Sequence, residues 1–134
     1  MSGGVSPVAA EVRAGPVATG EGEWTAEATI TISDDEPVFA GHYSHFPIFP
    51  GICVLECVHR AALDAAPVPG LVLSGVKSAR FTGAVYPGDV LTVQLRWEGS
   101  GGDWLCTARA RTRRDEAATV RVRYREVTRD ADHG

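Results

Sequence analysis

One histidine, one glycine and one glutamate in the middle of the chain are the residues best suited to do chemistry together. His42 lies in a loop rich in glycine, proline and aromatic residues, and imidazole titrates in the right range for a general base. Glu56 is a carboxylate in an otherwise apolar stretch, where burial disfavours the charged form and favours a general acid. Gly51 lies at the expected start of a helix, whose free N–H groups and positive dipole end can polarise a carbonyl.

A helix is predicted over residues 52–66, and it must carry Glu56. Pro50-Gly51 precedes this segment and Pro67 follows it, which are the expected start and stop signals. The segment is apolar nearly all round, so we expect the helix to be buried by something wrapped around it.

The remaining elements are predicted to be strands, because apolar and polar residues alternate along them. Tyr86–Asp89 is typical of a turn, and Gly99–Gly102 is typical of a hairpin loop. In the last strand the alternation places three arginines on the solvent side. The predicted strands cover residues 24–32, 71–74, 76–81, 90–97, 104–111 and 120–126.

One buried helix and at least five strands indicate an α+β protein in which an antiparallel sheet wraps around one central helix. We expect a leader over residues 1–20, a single domain over residues 21–127 and a polar tail over residues 128–134. Such a sheet keeps a free edge and an incomplete core, and pairing two copies would cover both. A dimer is therefore expected from the physics of the sheet.

Composition limits the class of protein. The chain has 134 residues, of which 44% are hydrophobic and 22% charged, as in one globular domain rather than a collagen-like or disordered protein. No apolar run has the roughly 20 residues that a membrane span needs, and no signal peptide is recognised. We therefore expect a cytoplasmic protein that does not associate with membranes.

The three cysteines and the charge distribution exclude further classes. Cys53 and Cys57 are spaced as neighbours on a helix face, but no suitable third ligand lies near them, so we expect buried free thiols and no metal. The net charge of −4 gives no support to nucleic-acid binding. The part from Arg96 onward carries more arginines than acidic residues, which indicates either solvated strand faces or a docking patch for an acidic partner.

Two segments resemble the hotdog-fold β-hydroxyacyl-acyl carrier protein dehydratases. The family pattern is Phe-x-Gly-His, then Pro-x-x-Pro-Gly, then a glutamate in the helix, and all of it is present with the family spacing. A second segment resembles the part of the family that follows the helix. The residues that carry the resemblance are Phe39, Gly41, His42, Pro47, Pro50, Gly51 and Glu56, then Lys77, Arg80, Phe81, Val85, Pro87, Gly88, Asp89 and Leu91.

The resemblance implies a hotdog fold and a β-elimination on a 3-hydroxyacyl thioester. His42 would remove the α-proton, Glu56 would protonate the departing hydroxyl, and the Gly51 amide would hold the thioester carbonyl. In the family, the histidine and glutamate of one site come from opposite subunits. The substrate arrives on the phosphopantetheine of an acyl carrier protein, so no dissociable cofactor is expected.

The resemblance also implies residues for binding the substrate and the acidic carrier protein. Lys77 and Arg80 are the candidates for docking the carrier protein. The candidates for substrate binding are Tyr43, Phe46, Phe49, Pro50 and Arg60.

Three departures from the family pattern leave alternatives open. Tyr43-Ser44 replaces the usual Phe-Pro, His45 adds a second imidazole, and Arg60 replaces the usual helix glutamine. Arg60 is spaced for an ion pair with Glu56, or it faces away, or it binds a polar acyl group. The alternatives to the dehydratase are a hotdog acyl thioesterase and a catalytically weak subunit of a heteromeric dehydratase, paired with a related hotdog chain.

Overall fold

The described part of the chain folds as one helix against an antiparallel sheet. A computed structural model describes residues 13–14, 18–20, 23–33 and 51–127. The helix α1 spans Gly51–Asp64. The strands are β1 (Arg13–Ala14), β2 (Ala18–Gly20), β3 (Glu23–Thr31), β4 (Leu71–Phe81), β5 (Val90–Ser100), β6 (Asp103–Arg111) and β7 (Glu116–Glu126).

The sheet order is β1-β3-β5-β6-β7-β4, every pairing is antiparallel, and β2 also pairs with β3. The predicted α+β architecture is confirmed. The short strands β1 and β2 pair five residues of the predicted leader, residues 1–20, with β3, and the predicted domain bounds stay predictions. Backbone hydrogen bonds to β3 hold these residues, and their sequence has too little alternation to indicate a strand.

The core lies between α1 and the inner face of the sheet. Along β6 and β7 buried and exposed residues alternate, as the pleat of a strand requires. The buried side chains of α1 form one face of the helix, which packs against β5, β6 and β7. That face consists of Cys53, Val54, Cys57, Val58, Ala61 and Ala62.

A two-residue hairpin fixes the register of β5 and β6. Gly101 and Gly102 have φ angles of 62° and 89°, which glycine adopts without strain. Beside the hairpin, Gly99 lies opposite Trp104, and a Cβ added at Gly99 would be about 2.4 Å from the indole ring. Glycine is therefore needed there to admit the Trp104 side chain.

The Tyr86–Asp89 turn joins three parts of the fold. The N–H of Ile32 donates to the carbonyl of Asp89, and the N–H of Gly88 donates to the carbonyl of Ile32. Arg114, in the β6–β7 loop, donates from Nη1 to Oδ1 of Asp89 at 2.7 Å and lies over the Tyr86 ring. The guanidinium of Arg114 lowers the pKa of Asp89 below its usual value of 3.8.

The edge strand β4 leaves an apolar surface uncovered. Leu73, Val76 and Phe81 lie opposite buried residues of β7, and so on the inner face, yet each is 46–49% exposed. Ile52 of α1 is 65% exposed, so the helix is not buried all round. None of the residues that the structure describes covers this end of the core. In the described part of the chain, no helix is long and apolar enough to cross a bilayer.

Candidate active site

Glu56 lines a small cavity between α1 and the uncovered end of the sheet. The cavity has a volume of about 250 Å³. Its helix residues lie at intervals of three and four, which places them on one face of α1. The lining residues are Ile52, Leu55, Glu56 and His59 of α1, Leu73 and Val76 of β4, and Val122 of β7.

The cavity is apolar apart from two side chains. Glu56 and His59 are both half-buried and lie one turn apart on the helix. An apolar wall strengthens the interaction of these groups with any polar atom that enters the cavity, because little water competes for them. The site can therefore hold an acyl chain and present an acid–base group to it.

Gly51 begins the same helix and lies under the ring of Phe81. A Cβ added at Gly51 would be 3.3 Å from ring carbons of Phe81, so a larger residue would press on that ring. The backbone N–H groups of the first helical turn have no partner within the helix. The start of α1 can thus provide hydrogen-bond donors close to Glu56, which is about 7.5 Å further along the helix axis.

His59 and Tyr124 form a hydrogen-bonded pair that the sequence analysis missed as a functional feature. Nδ1 of His59 lies 2.8 Å from the hydroxyl of Tyr124, and the two rings are stacked. Tyr124 is 1% exposed and packs on Trp97, with ring centroids 5.2 Å apart. Burial, with smaller effects from the charges of Cys106 and Glu56, raises the pKa of Tyr124 well above its usual value. Two features of the sequence could have indicated this pair: the i, i+3 spacing of Glu56 and His59, and the inward position of Tyr124 in its strand.

Of the residues predicted to do chemistry, Gly51 and Glu56 lie in the described part of the chain. The predictions for five others, including the catalytic base, fall outside the described residues and stay predictions. These residues are His42, Tyr43, Phe46, Phe49 and Pro50.

The other predicted site residues lie around the cavity rather than in it. Arg60 is half-buried on α1 and is not among the cavity-lining residues. Lys77 and Arg80 are exposed on β4. Arg80 and Arg109 line a surface groove of about 650 Å³, together with Asp115 and Glu116.

The structure places the three cysteines in the core. Cys53, Cys57 and Cys106 are all buried. Across residues 13–14, 18–20, 23–33 and 51–127, no three potential metal ligands come together. The thiols of α1 belong to the buried core.

The sequence matches one family model over most of its length. The family is described as "ApeI-like: ApeI dehydratase", and the match covers residues 18–121. One curated relative, the 3-hydroxyacyl-[acyl-carrier-protein] dehydratase FabZ of Dechloromonas aromatica, is 33% identical over 101 residues, which are 68% of this chain and 70% of the relative. The FabZ of Chlamydia pneumoniae is 41% identical over 81 residues, 52% of this chain and 50% of that protein. For several such relatives, the match spans about half of their length.

The fold is similar to that of solved structures. The dehydratase heterocomplex ApeI:P from Xenorhabdus doucetiae superimposes with a TM-score of 0.65 at 21% identity, over 76% of this chain and 88% of that chain. At this identity the likeness shows the fold alone. The hotdog fold predicted from the sequence is confirmed.

Proposed function

Because the chain belongs to the ApeI-like dehydratase family, we propose that it dehydrates a 3-hydroxyacyl thioester on an acyl carrier protein to a trans-2-enoyl thioester. The observation that carries this proposal is the position of Glu56, in an apolar cavity one and a half turns beyond the start of α1. The FabZ relatives are named for a 3-hydroxyacyl group on an acyl carrier protein, which supports the same reaction class.

In this mechanism the catalytic base is His42 and the catalytic acid is Glu56. His42 takes the proton from C2, and the electron pair left behind forms the C2–C3 double bond. The bond from C3 to the hydroxyl breaks as Glu56 donates its proton, so water leaves. The Gly51 N–H stabilises the negative charge that develops on the thioester oxygen during proton removal. The carbonyl of the thioester is unchanged at the end.

We propose that the working unit is a dimer, with His42 and Glu56 of one site supplied by opposite subunits. The apolar surface on β4 and the start of α1 supports this proposal, because exposed apolar area of this kind is stabilised by a partner. Among the described strands β4 lies at the edge of the sheet, where it can also pair with a second strand. The partner is either a second copy or a related hotdog chain, and the structure of the ApeI:P heterocomplex gives one relative that pairs with a different chain.

The proposed docking site for the carrier protein is the exposed side of β4, with Lys77 and Arg80 as its cations. Arg80 is the direct neighbour of Phe81, which contacts the start of α1, so a carrier protein bound there lies close to the cavity. Acyl carrier proteins are acidic, and charge complementarity speeds such encounters. The three buried thiols suit a reducing compartment, and we place the reaction in the cytoplasm.

Mass spectrometry of a 3-hydroxyacyl carrier protein mixed with the purified chain tests the reaction. We expect the wild-type protein to remove one water from the acyl group, and the His42→Ala variant to leave the substrate unchanged while keeping its fold. Release of free acid from the carrier protein would instead indicate a thioesterase. Equal dehydration by wild type and His42→Ala would contradict the assignment of the base.

A further inference from the structure

The proposed mechanism makes no use of His59, although it lines the same cavity as Glu56. Five of the seven lining residues are aliphatic, so His59 is a polar group in an apolar wall. A polar group that loses water on substrate binding costs free energy unless the substrate supplies a hydrogen bond. The side chain therefore has a direct influence on which acyl groups bind.

The Tyr124 hydroxyl favours one position for the proton on the His59 ring. Tyr124 is 1% exposed, and a buried O–H needs an acceptor; Nδ1 of His59, 2.8 Å from the hydroxyl, provides one when the ring carries its proton on Nε2. A neutral imidazole that accepts at Nδ1 carries its proton on Nε2. The stacking of the two rings and the packing of Tyr124 on Trp97 fix this arrangement. In that form Nε2 is a hydrogen-bond donor on a side chain that lines the cavity.

The order of residues along α1 indicates which part of a substrate meets this donor. Gly51 begins the helix, Glu56 follows about 7.5 Å along the axis, and His59 lies about 4.5 Å further. On the proposed function, the thioester lies at Gly51 and the C3 hydroxyl at Glu56. An acyl chain that continues in the same direction carries its atoms beyond C3 past His59.

We propose that His59, held by Tyr124, selects 3-hydroxyacyl thioesters whose chain carries a second oxygen, a carbonyl or hydroxyl, beyond C3. This inference rests on the proposed function for the direction of the chain. Nε2–H of His59 donates to the second oxygen, and the aliphatic lining contacts the intervening carbons. A plain alkyl chain of equal length leaves the donor without a partner and binds less tightly.

Binding of two unreactive ligands tests the inference without relying on turnover. The ligands are amide-linked pantetheine analogues, one with a hexanoyl and one with a 5-oxohexanoyl group, and isothermal titration calorimetry gives their Kd values. We expect wild type to bind the 5-oxo compound about three- to tenfold more tightly, the range that one neutral hydrogen bond provides.

Two variants separate the donor from the packing. His59→Leu should bring the ratio of the two Kd values to one or below, because the donor is replaced by an alkyl group of similar size. Tyr124→Phe keeps the imidazole but removes the hydroxyl that favours a proton on Nε2. The ratio of the two Kd values should therefore fall only partly. Leu63→Gln, at an exposed position of the same helix outside the cavity, is the control and should keep the wild-type ratio.

Turnover of 3-hydroxyhexanoyl and 3-hydroxy-5-oxohexanoyl thioesters provides the second measurement. In wild type kcat/KM should favour the 5-oxo substrate, with most of the difference in KM, and His59→Leu should remove that preference. An equal loss in kcat for both substrates would place His59 with Glu56 instead and overturn the inference. Equal Kd values for the two amides in wild type would also overturn it. Absence of dehydration with both substrates, alongside selective amide binding, would contradict the proposed function and leave the recognition of the second oxygen supported.

Discussion

Glu56 is the described residue on which the proposed chemistry depends most directly. We expect Glu56→Gln to lower kcat by at least about 100-fold, because the amide has no proton to give to the departing hydroxyl. The substitution keeps the size of the side chain, so the Tm should change little. Steady-state kinetics with a 3-hydroxyacyl thioester and a thermal melt measure both effects. A near-normal kcat would place the acid elsewhere.

Arg60 decides between two of the interpretations left open by the sequence. If Arg60 favours the ionised form of Glu56, Arg60→Gln should raise kcat several-fold for every substrate. If it binds a polar acyl group, the variant should change KM for polar substrates and leave kcat for short alkyl substrates unchanged. Its position outside the cavity lining counts against the second result, which needs a contact with the acyl group. Kinetics with both substrate types distinguish the two.

At the residue scale a sequence indicates single positions more readily than partnerships. Gly51 and Glu56 were predicted as site residues from their types and spacing, and α1 presents both near one cavity, while their roles stay predictions. The pair of His59 and Tyr124 joins residues 65 positions apart, and only the packing of α1 on β7 brings them together. No local pattern encodes such a contact, because it depends on the register of two elements and the rotation of the helix.

The turn from Tyr86 to Asp89 is the element whose stability can be tested most cleanly. Arg114 binds Asp89 through both guanidinium ends and also donates to the carbonyl of Ala84 at 3.3 Å. We expect Arg114→Gln to lower the Tm by a few degrees. Arg113→Gln is the matched control, because Arg113 is also exposed but only its charge acts on Asp89. Equal Tm values for the two variants would contradict the role of the pair.

The same pair predicts how stability depends on pH. Arg114 lowers the pKa of Asp89 in the folded chain, so the pair stabilises the fold above the unfolded pKa of about 3.9. That contribution is lost as the pH falls through the folded pKa. The difference in Tm between wild type and Arg114→Gln should therefore be constant from about pH 7 to pH 5 and shrink below about pH 4. A difference that grows in acid would show that another group is responsible.

The ends of elements were harder to predict than the elements themselves. The helix ends at Asp64, before the predicted end at Ala66. The N–H of Ala66 donates to the carbonyl of Leu63, and Pro67 follows. Strand β4 is continuous through Gly75, where two separate strands were predicted. Bulges shift the register with β7 on either side of Gly75, and the pairing continues beyond them. Strand β7 begins at Glu116, since pairing with β6 extends it through alanines that show no alternation.

At the scale of the whole molecule, the uncovered face of β4 predicts the state of assembly. Val76→Glu should convert a dimer into a monomer, because it places a charge in the centre of the apolar surface. Val90→Glu is the matched control, since both valines are 46% exposed and Val90 lies on another strand. Light scattering during size exclusion measures the mass of each. If both variants formed dimers of equal affinity, the interface would not include β4.

The rate at which the buried cysteines are alkylated can measure how the fold opens, without any substitution in the chain. Burial raises the pKa of the Cys106 thiol to about 12, and the thiolate is the form that alkylating reagents attack. Cys53 and Cys57 lie on α1 and Cys106 lies on β6, so the reagent reaches them only when the helix or the sheet opens. Labelling of the helix thiols ahead of Cys106 would mark separation of α1 from the sheet. Simultaneous labelling would mark a single cooperative unit, and bound ligand in the cavity should slow both rates.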